Sequence, residues 1–518
     1  MKRYLVIFLF ICTTGFLACK SSKSGSISRS ADDNKIEVVF LQMNDVYEIS
    51  PLEGGKTGGL SRVATIRKRL AAQNPNVRCI IAGDFLNPSV VGTLKYEGQR
   101  ISGRQMVDVM NTAGVDLAIF GNHEFDLSES DLEKRLTESQ FQWISSNAWH
   151  KTANGLTPFT SGSTQEPMPV TRILEFKDGD GTQVRVGMIG LVIDSNPKDF
   201  VQYDARYFNI ARRLADSLES HCDYLVAITH LNIADDLELS KQVPGLRLIM
   251  GGHDHDHMYH QVGESFVAKA DANAKTVYVH KLLYDKLQKK LTIQSQLVPV
   301  NATVPMDSTT QRVVDKWTTI ADHSFNELGF SPNEVLLDTQ ELLDGRESSV
   351  RHHATNLTQL VTQSIAAAAP KADAVILNSG SIRIDDQLTG RITQYDILRA
   401  LPFGGKILEV EMNGGLLKKI LETGKGNEGS GGYLLYHQIS YDESKKEWIL
   451  KQRSIDSQKI YRIAISDFLL TGQEKNLDFL SSKNPDIKIV YTPEKNDPKD
   501  PHNDVRQAII AYLRTNKK

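Results

Sequence analysis

The sequence predicts an α/β protein of two domains, and three observations predict it. Apolar, β-branched runs alternate with amphipathic helical stretches from residue 36 onward, as parallel strands joined by helical crossovers do. Those runs end repeatedly in Gly, Asp, Asn or His, which places polar side chains at the carboxyl edge of an open sheet, where such folds keep their chemistry. Near residue 300 the composition shifts and a new pattern begins, and 518 residues exceed what one core holds.

Residues 1–19 combine Lys2 and Arg3 with an apolar run from Tyr4 to Ile11 and close on Gly15-Phe16-Leu17-Ala18-Cys19. This reads as a secretory signal peptide, too short for a stop-transfer helix. Its ending resembles a bacterial lipoprotein signal, in which Cys19 becomes the lipidated first residue, although Phe16 stands where an aliphatic residue is usual. Residues 20–35 are rich in Ser and read as a flexible tether. The leader therefore predicts a bacterial cell-envelope protein, held to a membrane through the lipid on Cys19 only and facing the periplasm or cell surface.

The run 36–43 is a β-branched strand ending at Asn44-Asp45-Val46-Tyr47-Glu48. A glycine-rich loop and a helix over 60–72 lead to strand 77–82, which delivers Gly83-Asp84. A helix over 103–110 precedes strand 115–120 and the turn Gly121-Asn122-His123-Glu124-Phe125-Asp126. A polar helix follows over 128–139, residues 143–149 continue the sheet, and 150–170 is a Pro-, Gly- and Ser/Thr-rich insertion without clear structure. Strand 184–193 and helix 209–218 lead to strand 224–229 with His230, and strand 246–250 delivers Gly252-His253-Asp254-His255. Runs 265–269, 276–283 and 291–298 alternate enough to close the domain with a more antiparallel sheet.

Helical spacing of Val313, Val314, Trp317, Ile320 and Phe325 marks a connecting helix over 309–328. Beyond it come a helix over 354–369, strand 374–377 reaching Asn378-Ser379-Gly380-Ser381-Ile382-Arg383, and a helix over 394–401 ending in Pro402-Phe403-Gly404-Gly405. Strand 407–412, a glycine-rich loop over 424–432, strands 433–441, 447–452 and 459–465, and a closing helix over 505–514 complete the chain.

A net charge of −3 argues against a nucleic-acid polymer as partner, so an anionic substrate must be met by a few local cations or metals. Cys79 and Cys222 both lie beside apolar runs and read as buried free thiols.

Asp45, Asp84, Asn122, His123, His230, His253 and His255 each follow a predicted strand. Singly, each is more often a structural loop residue than a ligand. Jointly, at successive strand ends, they point to a metal centre. Carboxylate, amide and imidazole donors suit Zn, Mn or Fe better than Ca, which prefers oxygen alone. So many donors exceed one tetrahedral site, which favours two divalent ions roughly 3.5 to 4 Å apart sharing a carboxylate.

With these motifs the sequence resembles the metallophosphoesterases and, within them, the 5'-nucleotidase family, which includes UDP-sugar hydrolases and 2',3'-cyclic phosphodiesterases. The resemblance also rests on Asn378 to Arg383, on Leu401-Pro402-Phe403-Gly404-Gly405 and on Ser466-Asp467-Phe468. It implies a four-layer α/β/β/α metallophosphoesterase domain over 36–305, a connecting helix over 306–330 and a smaller α+β substrate-binding domain over 331–518. By this resemblance Asp84 bridges the metals, Asp45 and His255 belong to one ion, and Asn122, His230 and His253 belong to the other. His123, oriented by Asp126, stabilises charge on the phosphoryl group. Arg351, Asn378 and Arg383 contact ribose or phosphate, and Phe403 and Phe468 sandwich the base.

Four departures stand out. Tyr47 replaces the usual His, with Tyr47 and Glu48 as candidate replacement ligands. Ala354 stands for a usual Glu, Thr358-Gln359 for Gly-Asn, and Glu474 for a ribose-binding Asp. The expected activity is hydrolysis of nucleotide 5'-phosphates or related small phosphoesters. Cyclic phosphodiester or UDP-sugar hydrolysis is the alternative within the enzyme class, and a catalytically weak surface nucleotide-binding protein the alternative outside it.

Overall fold

The computed structural model describes residues 33–494 and 500–516. The signal sequence, Cys19 and most of the tether lie outside the described residues.

Strand Lys35–Met43 is where the architecture begins, because it is apolar on both faces. Alternation sends Val38 and Phe40 into one core and Val39, Leu41 and Met43 into another. It pairs in parallel with Val77–Ile81, which continues through Leu117–Ile119 to Gln142–Ile144, and antiparallel with Thr276–Asp285, beside Lys290–Pro299. A second six-stranded sheet runs Thr171–Lys177, Gln183–Val192, Tyr224–His230, Leu246–Gly251, Ser265–Lys269 and Met258–Val262, parallel through its centre and antiparallel at both edges.

The two sheets face each other across a core of Val38, Phe40, Ile80 and Ile119 from the first and Val186, Met188, Val226, Leu248 and Met250 from the second. Helices Leu60–Gln73, Arg104–Ala113 and Ser308–Glu327 cover the outside of the first sheet. Tyr207–Leu218 and Ile233–Gln242 cover the second, giving four layers in the order α/β/β/α. Parallel strands buried on both faces need such helices, which explains their continuous apolar sequences.

The smaller C-terminal unit is α+β. Its five-stranded sheet runs Leu434–His437, Ala374–Asn378, Ile460–Ser466, Ile407–Asn413 and Lys488–Tyr491. Helices Asn356–Ala368 and Val505–Thr515 pack on one face and Gly414–Gly426 on the other. Its segment around Arg383 to Arg399 docks on the first domain through Lys275–Asp386 at 2.7 Å, Arg399–Glu48 at 3.2 Å and Arg383–Asp126 at 3.4 Å.

Several local expectations are corrected. Residues 150–170 are not structureless: Ala148–Thr152 leaves the main sheet to pair with Gly155–Thr157 and Val201–Tyr203, and Thr160–Ser161 pairs with Glu166–Pro167. Ser265–Lys269 joins the second sheet in parallel with Leu246–Gly251, and only the two later runs extend the first sheet antiparallel. The loop placed over 424–432 begins later, because the helix continues to Gly426; a Cβ on Gly424 would lie 2.3 Å from Leu434, so glycine there is a packing requirement. Strand Thr171–Lys177 and helix Ile233–Gln242 escape the sequence pattern because one is an edge strand exposed on alternate residues and the other carries Asp235 and Asp236 in its first turn. Cys79 is a buried free thiol, while Cys222 is only half-buried. Among the described residues no helix is long and apolar enough to cross a membrane.

Candidate metal centre and catalytic site

The carboxyl ends of the parallel strands in both sheets converge on one place. Asp45 follows Lys35–Met43, Asp84 follows Val77–Ile81, and Asn122 and His123 follow Leu117–Ile119. His230 ends Tyr224–His230, and His253 and His255 follow Leu246–Gly251. Asp45, Asp84, His253 and His255 adopt left-handed backbone conformations, with φ of 53°, 54°, 84° and 63°. That conformation is strained for non-glycine residues, and such residues cluster at functional sites.

Close approach of these turns depends on glycine. A Cβ on Gly121 would lie 2.1 Å from Asp84 Oδ1, and one on Gly252 would lie 2.4 Å from the Ala82 carbonyl.

Asp45, Asp84 and His230 each place a ligand atom within 4.8 Å of the others, and all three are buried. His230 Nε2 lies 3.1 Å from Asp84 Oδ2 and 3.9 Å from Asp45 Oδ1. His255 Nε2 lies 3.3 Å from Asp45 Oδ1, and the His230 and His253 ring centres are 5.3 Å apart. Asp45 Oδ1, Asn122 Oδ1 and His230 Nε2 are buried without a well-aligned hydrogen bond. Buried polar atoms rarely stay unpaired, so converging orphans of these chemical types fit divalent cations.

The surrounding structure aims these donors. His230 Nδ1 sits 2.8 Å from the Ala82 carbonyl, which leaves Nε2 for the cluster. Asn44 donates to Asp45 Oδ2 at 2.8 Å, and the His253 N–H donates to the same oxygen at 2.9 Å. Fully buried Lys269 donates to the carbonyls of Leu231 at 2.6 Å and Gly252 at 2.8 Å and pairs with Asp236 and Asp254, tying the two histidine loops together.

Charge balance in the cluster is shared. Burial opposes protonation of His230, but Asp84 and Asp45 outweigh it and push its pKa up to about 9. Burial, with the charge of His230, depresses His253 to about 4. For Asp45, burial favours the neutral acid, and His230 and His255 overturn it, holding the carboxyl far below its usual range. A cation binding here would displace the proton that His230 holds.

Beside the cluster, the His123 N–H donates to Asp84 Oδ1 at 2.8 Å, and His123 Nδ1 lies 2.7 Å from Asp126 Oδ2. Burial opposes the charge on His123, but Asp84 and Asp126 raise its pKa. Asp126 also accepts from Asn87 and Asn196, each at 3.0 Å. Phe120 and Phe125, fully buried with ring centres 4.9 Å apart, flank the turn and anchor it. Aromatic truncation in such a core costs on the order of 3–5 kcal/mol.

Tyr47 reaches the cluster: its hydroxyl lies 3.2 Å from Asp84 Oδ2 and 3.1 Å from His255 Nε2. Glu48 does not, which corrects its candidacy as a ligand. Its carboxylate accepts from Tyr395 Oη at 2.6 Å and pairs with Arg399 at 3.2 Å, facing the C-terminal domain.

Of the residues expected at the substrate, Arg383 is brought to Asp126 across the domain boundary, and its Nε is buried without a partner. Asn378 donates to Glu474 at 2.8 Å. Arg351 is buried and held by Glu347 and Ser379 at one remove, with Glu347 3.9 Å from Arg383. Phe403 and Phe468 are 59% and 41% exposed, so neither is a core residue, and the Asp467 N–H donates to the Lys406 carbonyl at 2.9 Å to tie their two segments.

One residue quoted in the central motif received no role from the sequence. Glu124 is fully buried and accepts the N–H groups of Phe85 and Leu86 on one oxygen and of Asp84 and Gly121 on the other, at 2.6 to 3.0 Å. Burial and the Asp84 charge push it up to about 7 against the Leu86, Phe85 and Gly121 donors. An acid in a strand-end turn, beside the candidate catalytic His123, was the available signal.

Comparison with known proteins places the two domains in known families. The family model described as calcineurin-like phosphoesterase matches residues 38–257, and that for the 5'-nucleotidase C-terminal domain matches residues 334–481. The chain is 24% identical over 502 residues to a 5'-nucleotidase of Bos taurus, covering 84% of this chain and 83% of that one. It is 24% identical to Protein UshA of Yersinia enterocolitica, covering 85% and 86%. A 5'-nucleotidase precursor structure from Thermus thermophilus superposes with a TM-score of 0.67 at 19% identity over 93% of this chain and 96% of that one. The fold is thus that of a phosphoesterase. The chain belongs to the two-domain 5'-nucleotidase family, a calcineurin-like phosphoesterase joined to a 5'-nucleotidase C-terminal domain, and so to the hydrolases.

Proposed function

We propose that this chain is a secreted, lipid-anchored phosphoesterase that uses two divalent ions to hydrolyse nucleotide 5'-phosphates or related phosphoesters. The observation carrying this reading is the convergence of Asp45, Asp84 and His230, with orphaned donor atoms, beside an Asp126-oriented His123. Asp84 would be shared by the two ions, with Asn122, His230 and His253 holding one and Asp45 and His255 the other. Tyr47 stands at the Asp45 side. Zn, Mn or Fe bound here would activate water as a nucleophile and neutralise the leaving oxygen.

The protein's own groups supply positioning and charge. Asp126 holds Nδ1 of His123, which leaves Nε2 to donate toward a phosphoryl oxygen. Arg383, next to Asp126, adds a second cation from the C-terminal domain. The exposed rings of Phe403 and Phe468 offer flat faces to a base. Asn378 and Glu474, already hydrogen-bonded to each other, present polar atoms for a ribose.

Bacterial envelope localisation rests on the leader. Replacing Cys19 with Ser should release the mature protein to the soluble fraction; continued membrane association would refute the lipid anchor. For the activity, the metal-reconstituted protein should release phosphate from AMP faster than it hydrolyses UDP-glucose, 2',3'-cyclic AMP or bis-p-nitrophenyl phosphate. Preference for one of the latter reassigns the leaving group. Tight AMP binding without turnover of any of them would make the chain a nucleotide-binding protein instead.

A further inference from the structure

The imidazoles of this centre differ in who holds them. His230 is aimed from within its own domain, by the Ala82 carbonyl. His255 is aimed from the other domain: its Nδ1 lies 2.9 Å from Asp385 Oδ2 and 3.1 Å from the Asp385 carbonyl, while Nε2 faces Asp45 and Tyr47. Asp385 is itself fixed, because its other carboxylate oxygen accepts the Glu347 N–H at 2.5 Å and its backbone sits at φ 41°, a left-handed conformation that Asp and Asn tolerate best. It lies two residues beyond Arg383, on the segment that docks the C-terminal domain.

We propose that Asp385 is a positioning residue for the metal centre, a carboxylate supplied by the C-terminal domain that fixes the tautomer and orientation of His255, so that the ion on the Asp45 side is held across the domain boundary. This rests on the reading of His255 as a metal ligand. Carboxylate–histidine pairs of this kind orient metal-bound imidazoles and raise their basicity, and losing one commonly weakens metal binding about 10- to 100-fold. The consequence here is structural: the phosphoesterase layers carry every ligand, but one of those ligands is aimed from the other domain. That also gives the C-terminal domain a part in the chemistry beyond holding substrate.

The test measures metal binding to chelator-stripped full-length protein, titrated with Mn alone, with no substrate present. Asp385→Asn keeps the size and backbone preference of Asp but cannot accept from both Glu347 and His255 with separate oxygens. It should weaken one of two Mn sites about 10- to 100-fold while leaving the melting temperature of the metal-free protein unchanged. His255→Ala should weaken the same site. Lys275→Met, which removes the neighbouring 2.7 Å interdomain pair with Asp386 and touches no ligand, should leave both affinities as in the wild type. Wild-type affinity in Asp385→Asn, with the site lost in His255→Ala, overturns the role of Asp385 alone. Wild-type affinity in His255→Ala overturns the ligand assignment beneath it. Equal weakening by Lys275→Met overturns positioning, since domain docking in general would then be the cause.

Discussion

His123 Nδ1 and Asp126 Oδ2 lie 2.7 Å apart, and the same Asp126 carboxylate lies 3.4 Å from Arg383 of the other domain. The first contact fixes the imidazole, and the second places a cation from the C-terminal domain beside it. Neither residue needs to touch a metal for this to work. His123→Ala should therefore leave metal content intact while kcat falls by ~10² or more. Wild-type turnover in this variant would remove His123 from the mechanism.

Tyr47 stands where the family resemblance implies an imidazole, and its hydroxyl reaches Asp84 Oδ2 and His255 Nε2. Burial first, then the Asp84 and Asp45 charges, raise its pKa well above 10, so as a neutral phenol it is a weak donor. Activity should need added Mn or Zn and be lost readily to chelator, and Tyr47→His should tighten the weaker site. Unchanged affinity in Tyr47→His would show that the phenol packs the site without limiting it.

How much of this was legible in the sequence follows physical lines. Strand ends carrying Asp45, Asp84, His123, His230 and His253 were visible because buried parallel strands write continuous apolar runs and their termini write polar punctuation. Glu48 was offered as a ligand because a turn after the strand can swing its carboxylate inward, but it faces away from the Tyr47 side, and its partner, Arg399, is 351 residues away. Lys269, Glu124 and Asp385 were given no role for the same reason: each acts through contacts between loops distant in sequence, which no local pattern records. The exposure of Phe403 and Phe468 could not be read from sequence either, since an aromatic residue near a strand reads equally as core.

His280 makes a stability prediction far from the catalytic question. It is fully buried, with Nε2 2.8 Å from Gln42 Oε1 and Nδ1 2.7 Å from Ser295 Oγ, and burial pushes its pKa down to about 3. The unfolded chain, at the ordinary 6.5, binds a proton that the folded protein refuses, so stability is present above pH 6.5 and falls on acidification toward pH 3. Between pH 7 and pH 5 the wild type should lose about 2 kcal/mol more than His280→Gln, read from urea midpoints at the two pH values. Equal losses would mean that His280 titrates normally.

Asp84 carries the central claim, because the proposed ions share its carboxylate while its neighbours serve one ion each. The most direct measurement is bound metal per chain by elemental analysis, for wild type and Asp84→Ala reconstituted and dialysed side by side, with folding checked by circular dichroism. A bridged pair predicts two ions in the wild type and loss of both from folded Asp84→Ala. Two ions retained by Asp84→Ala would contradict it.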